Sequence, residues 1–140
     1  MSKHVLVAID GSPGADRALR NACERFPAEE ITALYALDPF GHYRGRRFPD
    51  RLGDWHRELS EYADDLFEDA QTVAAEAGVD LETETVTGDP ARVIPEYAAE
   101  HDVDEVVIGA HAGTGIVSVL LGSVAEAVVR RSPVPVTVVR

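Results

Sequence analysis

Residues 106–131, VVIGAHAGTGIVSVLLGSVAEAVVRR, constrain the fold of this chain more than any other stretch. They begin with apolar β-branched side chains, which are typical of a strand that is covered on both faces. A glycine-rich loop follows from Gly109 to Gly115, and a helix begins near Ser123, which forms the S-x-x-E pattern of a capping box with Glu126. This order of strand, loop and helix predicts an anion site, because free backbone N–H groups and the helix dipole both attract negative charge.

The same stretch resembles the nucleotide-binding motif of the universal stress protein family, G-x2-G-x9-G-[ST], which follows the fourth strand in that family. Gly109 takes the first position, Ala112 stands where the family has its second glycine, and Gly122-Ser123 takes the last. The flanking segments IGAHA and LLGSVAEAVVRRSPVPVTVV are also similar to the family, and the resemblance extends over nearly the whole chain. It therefore implies one domain over residues 1–140.

In that family the motif holds ATP, so the resemblance implies an ATP site with Mg²⁺ bridging the phosphates. It implies adenine near Ala8 and Ala36, ribose near Asp10 and Gly109, and phosphates on backbone N–H groups of the motif. No catalytic residue and no protein ligand for a metal is expected. The cofactor-binding residues implied in this way are Ala8, Asp10, Ala36, Ile108, Gly109, Ala112, Gly113, Thr114, Gly122, Ser123 and Val124.

Strand and helix patterns alternate along the chain. The order βαβαβαβαβ predicts an α/β fold, with a parallel sheet, helices on both faces and right-handed crossovers. The predicted strands cover residues 5–9, 31–37, 81–86, 106–108 and 134–139, and the predicted helices begin near residues 15, 55, 91 and 123.

Two details of this pattern make local predictions. The alternation in LETETV predicts that the third strand lies at a sheet edge, and Pro95 predicts a kink or a short 3₁₀ start in its helix. The resemblance adds the strand order 3-2-1-4-5 of a Rossmann-like, adenine-nucleotide α-hydrolase-like fold. In that order the first and fourth strands lie side by side where ligands bind.

Several of the implied site residues also have a purely structural interpretation. The residue types of Asp10-Gly11-Ser12 favour a turn without any ligand. Asp10 therefore either binds the ligand or serves only as a turn or helix-cap residue. Ala8 and Ala36 are small and equally suited to a core. Ser123 is a helix cap, a phosphate ligand, or both.

Two further features near the implied site carry charge. His111 lies in the motif loop, as a phosphate contact or as an exposed histidine without function. Arg44, Arg46, Arg47 and Arg51 form a basic cluster in the long loop after the second strand. This cluster either folds over triphosphate oxygens or belongs to a solvated or dimer-contacting loop.

The net charge of −12 argues against general binding to nucleic acid or to an anionic membrane, because both would be repelled. Lys3 is the single lysine, which excludes a Walker P-loop and Schiff-base chemistry. Abundant acid with scarce lysine is typical of halophilic proteins, and an ordinary acidic protein is the alternative interpretation. We expect neither a signal peptide nor a membrane span, and the lone Cys23 favours the cytoplasm.

We therefore expect a cytoplasmic regulator or stress-response module that binds an adenine nucleotide, with at most slow ATP hydrolysis. The alternative is a dimeric interaction protein of the same fold that binds no nucleotide, which Ala112 favours. A nucleotide hydrolase ranks last, because the chain lacks an S-G-G-x-D-S loop. The apolar last strand, residues 135–139, is predicted to be an edge. In the family this strand pairs with its symmetry mate, so the resemblance implies a C2 homodimer through residues 136–139, and the alternative is a monomer whose edge strand is merely short.

Overall fold

The computed structural model of this chain describes residues 3–43, 47, 49–51, 53–110 and 122–140. These residues contain a five-stranded sheet in the order β3-β2-β1-β4-β5, and every pair of neighbouring strands is parallel. The predicted fold class and strand order are thereby confirmed. The strands are β1 His4–Ala8, β2 Glu30–Leu37, β3 Leu81–Thr87, β4 Glu105–Gly109 and β5 Val136–Val139.

Each strand falls on a run that the sequence predicts, with differences of one or two residues at the ends. The central strands β1, β2 and β4 are buried, because apolar residues point to both faces. β3 lies at one edge, as the alternation of glutamate and threonine predicts, and most of its side chains are exposed or half-buried. β5 forms the other edge of the sheet.

The helices connect the strands and cover both faces of the sheet. They begin close to the predicted positions, and Asp89 and Pro90 start the helix that was predicted near residue 91, since the Asp89 side chain accepts a hydrogen bond from the Ala91 N–H. The helices are α1 Pro13–Arg25, α2 Pro39–His42, α3 Asp54–Glu76, α4 Pro90–Glu100 and α5 Ser123–Arg131.

Two apolar cores lie on opposite faces of the sheet. α1 and α3 cover one face, where Leu19 and Leu59 pack against strand residues such as Val5 and Val7. α4 and α5 cover the other face, where Ile94 packs in the same cluster as Leu6. Successive side chains of each central strand therefore point into opposite cores, as the two-residue period of a strand requires.

Two local expectations differ from the structure. The long loop after β2 contains the short helix α2, which Asp38 caps by accepting from the Phe40 N–H. Of the two alternatives at Pro95, the 3₁₀ start is wrong, because α4 is α-helical from Pro90 to Glu100 with the proline buried inside it, and the kink stays a prediction. Within the part of the chain that the structure describes, no helix has the length and apolar character to cross a bilayer.

Candidate functional site

A cleft opens at the carboxyl ends of β1, β2 and β4, where the strand order reverses. The β1–α1 turn, the start of α4 and the start of α5 complete its walls. The described residues that line it are Ala8, Ile9, Asp10, Ser12, Ala15, Leu34, Ala36, Pro90, Ile94, Ile108, Gly109, Gly122, Ser123, Val124 and Ala125. This is the position at which open α/β sheets bind their ligands.

The structure brings together every implied site residue that it describes. Ala8, Asp10, Ala36, Ile108 and Gly109 contribute from the strand ends, and the segment 122–124 contributes from the start of α5. Ala112, Gly113 and Thr114 lie outside the described residues, as does His111.

Asp10 has the structural role that its sequence context suggests. Its Oδ1 accepts a hydrogen bond from the Ser12 N–H over 2.9 Å, which closes an Asx turn. Ser12 in turn caps α1, because its Oγ accepts from the Ala15 N–H over 3.2 Å. Asp10 is also the one charged side chain among the described residues that line the cleft. A role in ligand binding is compatible with this geometry, since only one carboxylate oxygen is used by the turn.

The start of α5 differs from the predicted capping box. Gly122 occupies the cap position, Ser123 is already the first helical residue, and no side chain among the described residues caps this end. Glu126 pairs with Arg130, whose guanidinium lies 2.8 Å from its carboxylate. The prediction of a Ser123 cap was therefore wrong. The first turn of α5 presents its backbone N–H groups without a capping side chain, as an anion-binding helix end does.

Gly109 is required by packing within the protein. A Cβ atom at this position would overlap the carbonyl group of Gly14 and would lie 2.9 Å from the amide nitrogen of Ala15. The end of β4 therefore lies against the first turn of α1 with no room for a side chain. The glycine that opens the motif is therefore required by the packing of the fold itself.

Other lining residues were not found by sequence reasoning. Leu34 and Ile94 are buried members of the α4–α5 core, and Pro90 stands at the start of α4. Their sequence signal was that of ordinary core and helix-start residues, so only the packing of α4 over β2 reveals that they face the cleft. The remaining unpredicted lining residues are Ile9, Ser12, Ala15 and Ala125.

The structure separates the described members of the arginine cluster from this cleft. Arg47 pairs with Asp50 over 2.9 Å, and its side chain is 84% exposed. Arg47 and Arg51 border a shallow depression together with Asp50, Asp54 and Glu58, none of which lines the cleft. Arg44 and Arg46 lie outside the described residues. The described half of the cluster is thus surrounded by carboxylates.

The chemical character of the cleft follows from its lining. Its described side chains are largely apolar, and they include no histidine, cysteine or lysine. The first residues of α1, α4 and α5 or their caps all face it, so the positive ends of these helix dipoles point the same way. An apolar floor with several helix N-termini around it suits a ligand that has a flat apolar part and an anionic part.

Comparison with known proteins gives a family. The sequence model of the group described as the universal stress protein family matches residues 1–140. The universal stress protein MJ0531 of Methanocaldococcus jannaschii is 32% identical over 146 residues, covering 99% of this chain and 82% of that protein.

Solved structures give the same result at the level of the fold. A universal stress protein in complex with cAMP is 29% identical and superposes with a TM-score of 0.74, covering 99% of this chain and 97% of that one. The universal stress protein from Archaeoglobus fulgidus in complex with dAMP is 25% identical, with a TM-score of 0.71 and coverage of 100% and 98%.

Proposed function

Because this chain belongs to the universal stress protein family, we propose that it is a regulatory protein that binds an adenine nucleotide in the cleft at the carboxyl end of its sheet. The nucleotide is ATP, with Mg²⁺ bridging its phosphates, and hydrolysis is at most slow. Adenine lies near Ala8 and Ala36, ribose near Asp10 and Gly109, and the phosphates near the start of α5 and the motif loop.

One observation carries this proposal. The implied nucleotide residues that the structure describes come from β1, β2, β4 and α5, which are far apart in the sequence, and all of them line one cleft. The cleft also offers the two environments that the ligand needs. Its apolar side chains suit the flat adenine base, and the N-terminus of α5, which no described side chain caps, suits phosphate.

Two relatives support the ligand class. Universal stress proteins of the same fold have been solved with cAMP and with dAMP, and both ligands contain adenine, a pentose and phosphate. The described residues form no group of three or more metal-ligating side chains, so the proposed Mg²⁺ would be held by phosphate oxygens and water.

Isothermal titration of the ligand-free protein with Mg·ATP, ADP and AMP tests the proposal. We expect saturable binding, which Ala36→Leu should weaken at least tenfold because the larger side chain fills the floor of the cleft. The matched control is Ala75→Leu, since Ala75 lies on the exposed face of α3 and its enlargement leaves the cleft unchanged. No binding by the folded wild-type protein would refute the proposal.

The alternative is a dimeric interaction protein of the same fold that binds no nucleotide. Ala112 is the residue that favours it, because the family motif has glycine there. Ala112→Gly discriminates between the two, since a large gain in ATP affinity would mean that the natural site is impaired. Turnover assays with saturating Mg·ATP test the remaining possibility of a true hydrolase.

The proposal extends to assembly and setting. We propose a C2 homodimer through β5, whose outer edge has no neighbouring strand within the described sheet. We also propose that the protein works in a cytoplasm that is rich in salt and reducing. The net charge of −12 supports the high salt concentration. Cys23 supports the reducing environment, because this single cysteine forms no disulfide within the chain.

A further inference from the structure

The β1–α1 turn separates the proposed nucleotide cleft from helix α3. Asp10 lies on the cleft side of this turn, and Tyr62 of α3 approaches it from the other side. The Tyr62 hydroxyl donates a hydrogen bond to the backbone carbonyl oxygen of Asp10 over 3.2 Å. A residue of α3 that does not line the cleft thus contacts Asp10, the one charged residue among the described residues that do.

Gly11 makes this approach possible. Its φ is +84°, and a Cβ atom on it would overlap the Tyr62 hydroxyl and lie 3.2 Å from Cδ2 of Leu66. Glycine is needed here for both the backbone conformation and the space. A glycine peptide is also free to rotate, so the Asp10–Gly11 peptide keeps its orientation only if something holds it. The Tyr62 hydroxyl does so.

Asp10 is consequently held at two points. Tyr62 fixes its carbonyl, and the Ser12 N–H holds Oδ1 of its side chain over 2.9 Å. The second carboxylate oxygen has no hydrogen-bond partner among the described residues. Together the two bonds fix the direction in which this free oxygen points.

Tyr62 is itself held in place by aromatic contacts. Its ring meets that of Tyr35 edge to face, with centroids 5.9 Å apart at 61°, and lies 5.1 Å from the ring of His42. Tyr35 is buried in β2, and His42 ends α2. The position of the hydroxyl is therefore set by the end of β2 and by α2, independently of any ligand.

We propose that Tyr62 is a positioning residue of the nucleotide site, which orients Asp10 toward the ribose through its carbonyl. The inference rests on the proposed function and adds a residue that lies outside the cleft. Without the hydroxyl, the Asp10–Gly11 peptide samples other orientations, and the carboxylate must be ordered again each time a nucleotide binds.

The test compares Tyr62→Phe with the wild-type protein. Phenylalanine keeps the ring contacts and removes only the hydroxyl, so we expect ATP affinity to fall about three- to tenfold, as loss of one hydrogen bond does. Hydrogen exchange in the ligand-free protein supplies a readout that general destabilisation would not give. The Ser12 amide should exchange faster, while amides in β2 and in the middle of α3 keep their wild-type protection.

Tyr43→Phe is the matched control. It removes a hydroxyl that donates to Glu58 in the same part of the molecule, and it leaves Asp10 untouched. We expect wild-type affinity and wild-type exchange at Ser12. Wild-type affinity and exchange in Tyr62→Phe would overturn the inference alone. Failure of the wild-type protein to bind ATP would overturn the proposed function and this inference with it.

Discussion

Gly109 at the end of β4 packs directly on Gly14 in the first turn of α1. A side chain at position 109 would overlap the Gly14 carbonyl group, and the α-carbon of Gly109 lies 3.8 Å from a Cβ placed on Gly14. The contact joins the strand that leads into the proposed phosphate loop to the helix whose cap faces the same cleft. Both walls of the cleft therefore depend on it.

Gly109→Ala should destabilise the protein. The added methyl group meets backbone atoms of a helix, which do not move aside as a flexible side chain does, so we expect a loss of about 3 kcal/mol in the free energy of unfolding. Urea unfolding followed by circular dichroism measures this loss.

Gly14→Ala is the control for that contact. Its Cβ would lie 3.5 Å from the carbonyl oxygen of Ala110, which is an ordinary distance, and alanine suits a helix better than glycine. Its stability should be unchanged or rise by less than about 1 kcal/mol. Equal losses of unfolding free energy in Gly109→Ala and Gly14→Ala would contradict the prediction that only a side chain at position 109 overlaps backbone atoms.

Much of the fold was predictable from short runs of residues. The apolar β-branched runs of β1, β2 and β4 give the strands, and the alternation in β3 gives an edge. The strand order was not contained in these runs, because pairing joins distant residues, and it came from the family resemblance. The helix α2 was missed because four residues that begin with Pro39 look like a loop.

The site was predictable where it lies at strand ends and unpredictable where it depends on packing. Asp10 follows β1 and Gly109 ends β4, and the parallel pairing of these strands brings such positions together. Ile94 faces the cleft only because α4 crosses β2, and nothing in its own neighbourhood signals this. The Ser123 cap was wrong because the S-x-x-E pattern does not fix the first residue of the helix, and in the structure Gly122 holds the cap position and Ser123 is already helical.

Tyr35 should make stability fall with pH above 10. Burial, and after it the neighbouring Tyr62 and Asp10, raises the pKa of Tyr35 to about 12. In the unfolded chain a tyrosine ionises near pH 10, so between pH 10 and 12 the unfolded state binds fewer protons than the folded state. The stability present below pH 10 is then lost as the pH rises, by about 2 kcal/mol for this residue. Urea unfolding at pH 9 to 11.5 measures the slope.

Tyr35→Phe isolates this contribution. Tyr43 and Tyr97 also have raised pKa values, so the wild-type slope contains all three, and the difference between wild type and variant belongs to Tyr35. The variant should lose less stability between pH 10 and 11.5. Identical slopes would show that Tyr35 ionises as easily in the folded protein as in the unfolded chain.

Glu105→Gln should destabilise the opposite end of the sheet. Glu105 is only 7% exposed, and its carboxylate lies 3.5 Å from Lys3 and 3.4 Å from Arg25. It also accepts a hydrogen bond from Thr137 over 2.9 Å, so it ties β4 to β5. Glutamine retains the shape and loses the charge. We expect a loss of about 1–2 kcal/mol, because the two cations remain partly hydrated.

Glu126→Gln is the control for that change, since it also neutralises a paired glutamate. Its pair with Arg130 is exposed on α5, where ion pairs contribute little, so the change should stay within about 0.5 kcal/mol. A thermal or urea melt of both variants gives the comparison. If Glu105→Gln were as mild as Glu126→Gln, the buried carboxylate would contribute nothing beyond a surface pair.

The last prediction concerns the proposed dimer through β5. The Val106 N–H bonds to the Pro135 carbonyl and the Ala110 N–H to the Val139 carbonyl, so these positions of β5 face β4. The alternation of a strand then turns the N–H and C=O groups of Val138 outward, where a second chain would pair.

Val138→Pro removes an outward donor and should abolish dimerisation, while Val138→Ala keeps the donor and should preserve it. Sedimentation equilibrium across a KCl series measures both, and the wild-type dimer should strengthen with salt as the charge of −12 per chain is screened. A wild-type protein that stays monomeric at high salt, or a Val138→Pro variant that dimerises as Val138→Ala does, would exclude pairing through this edge.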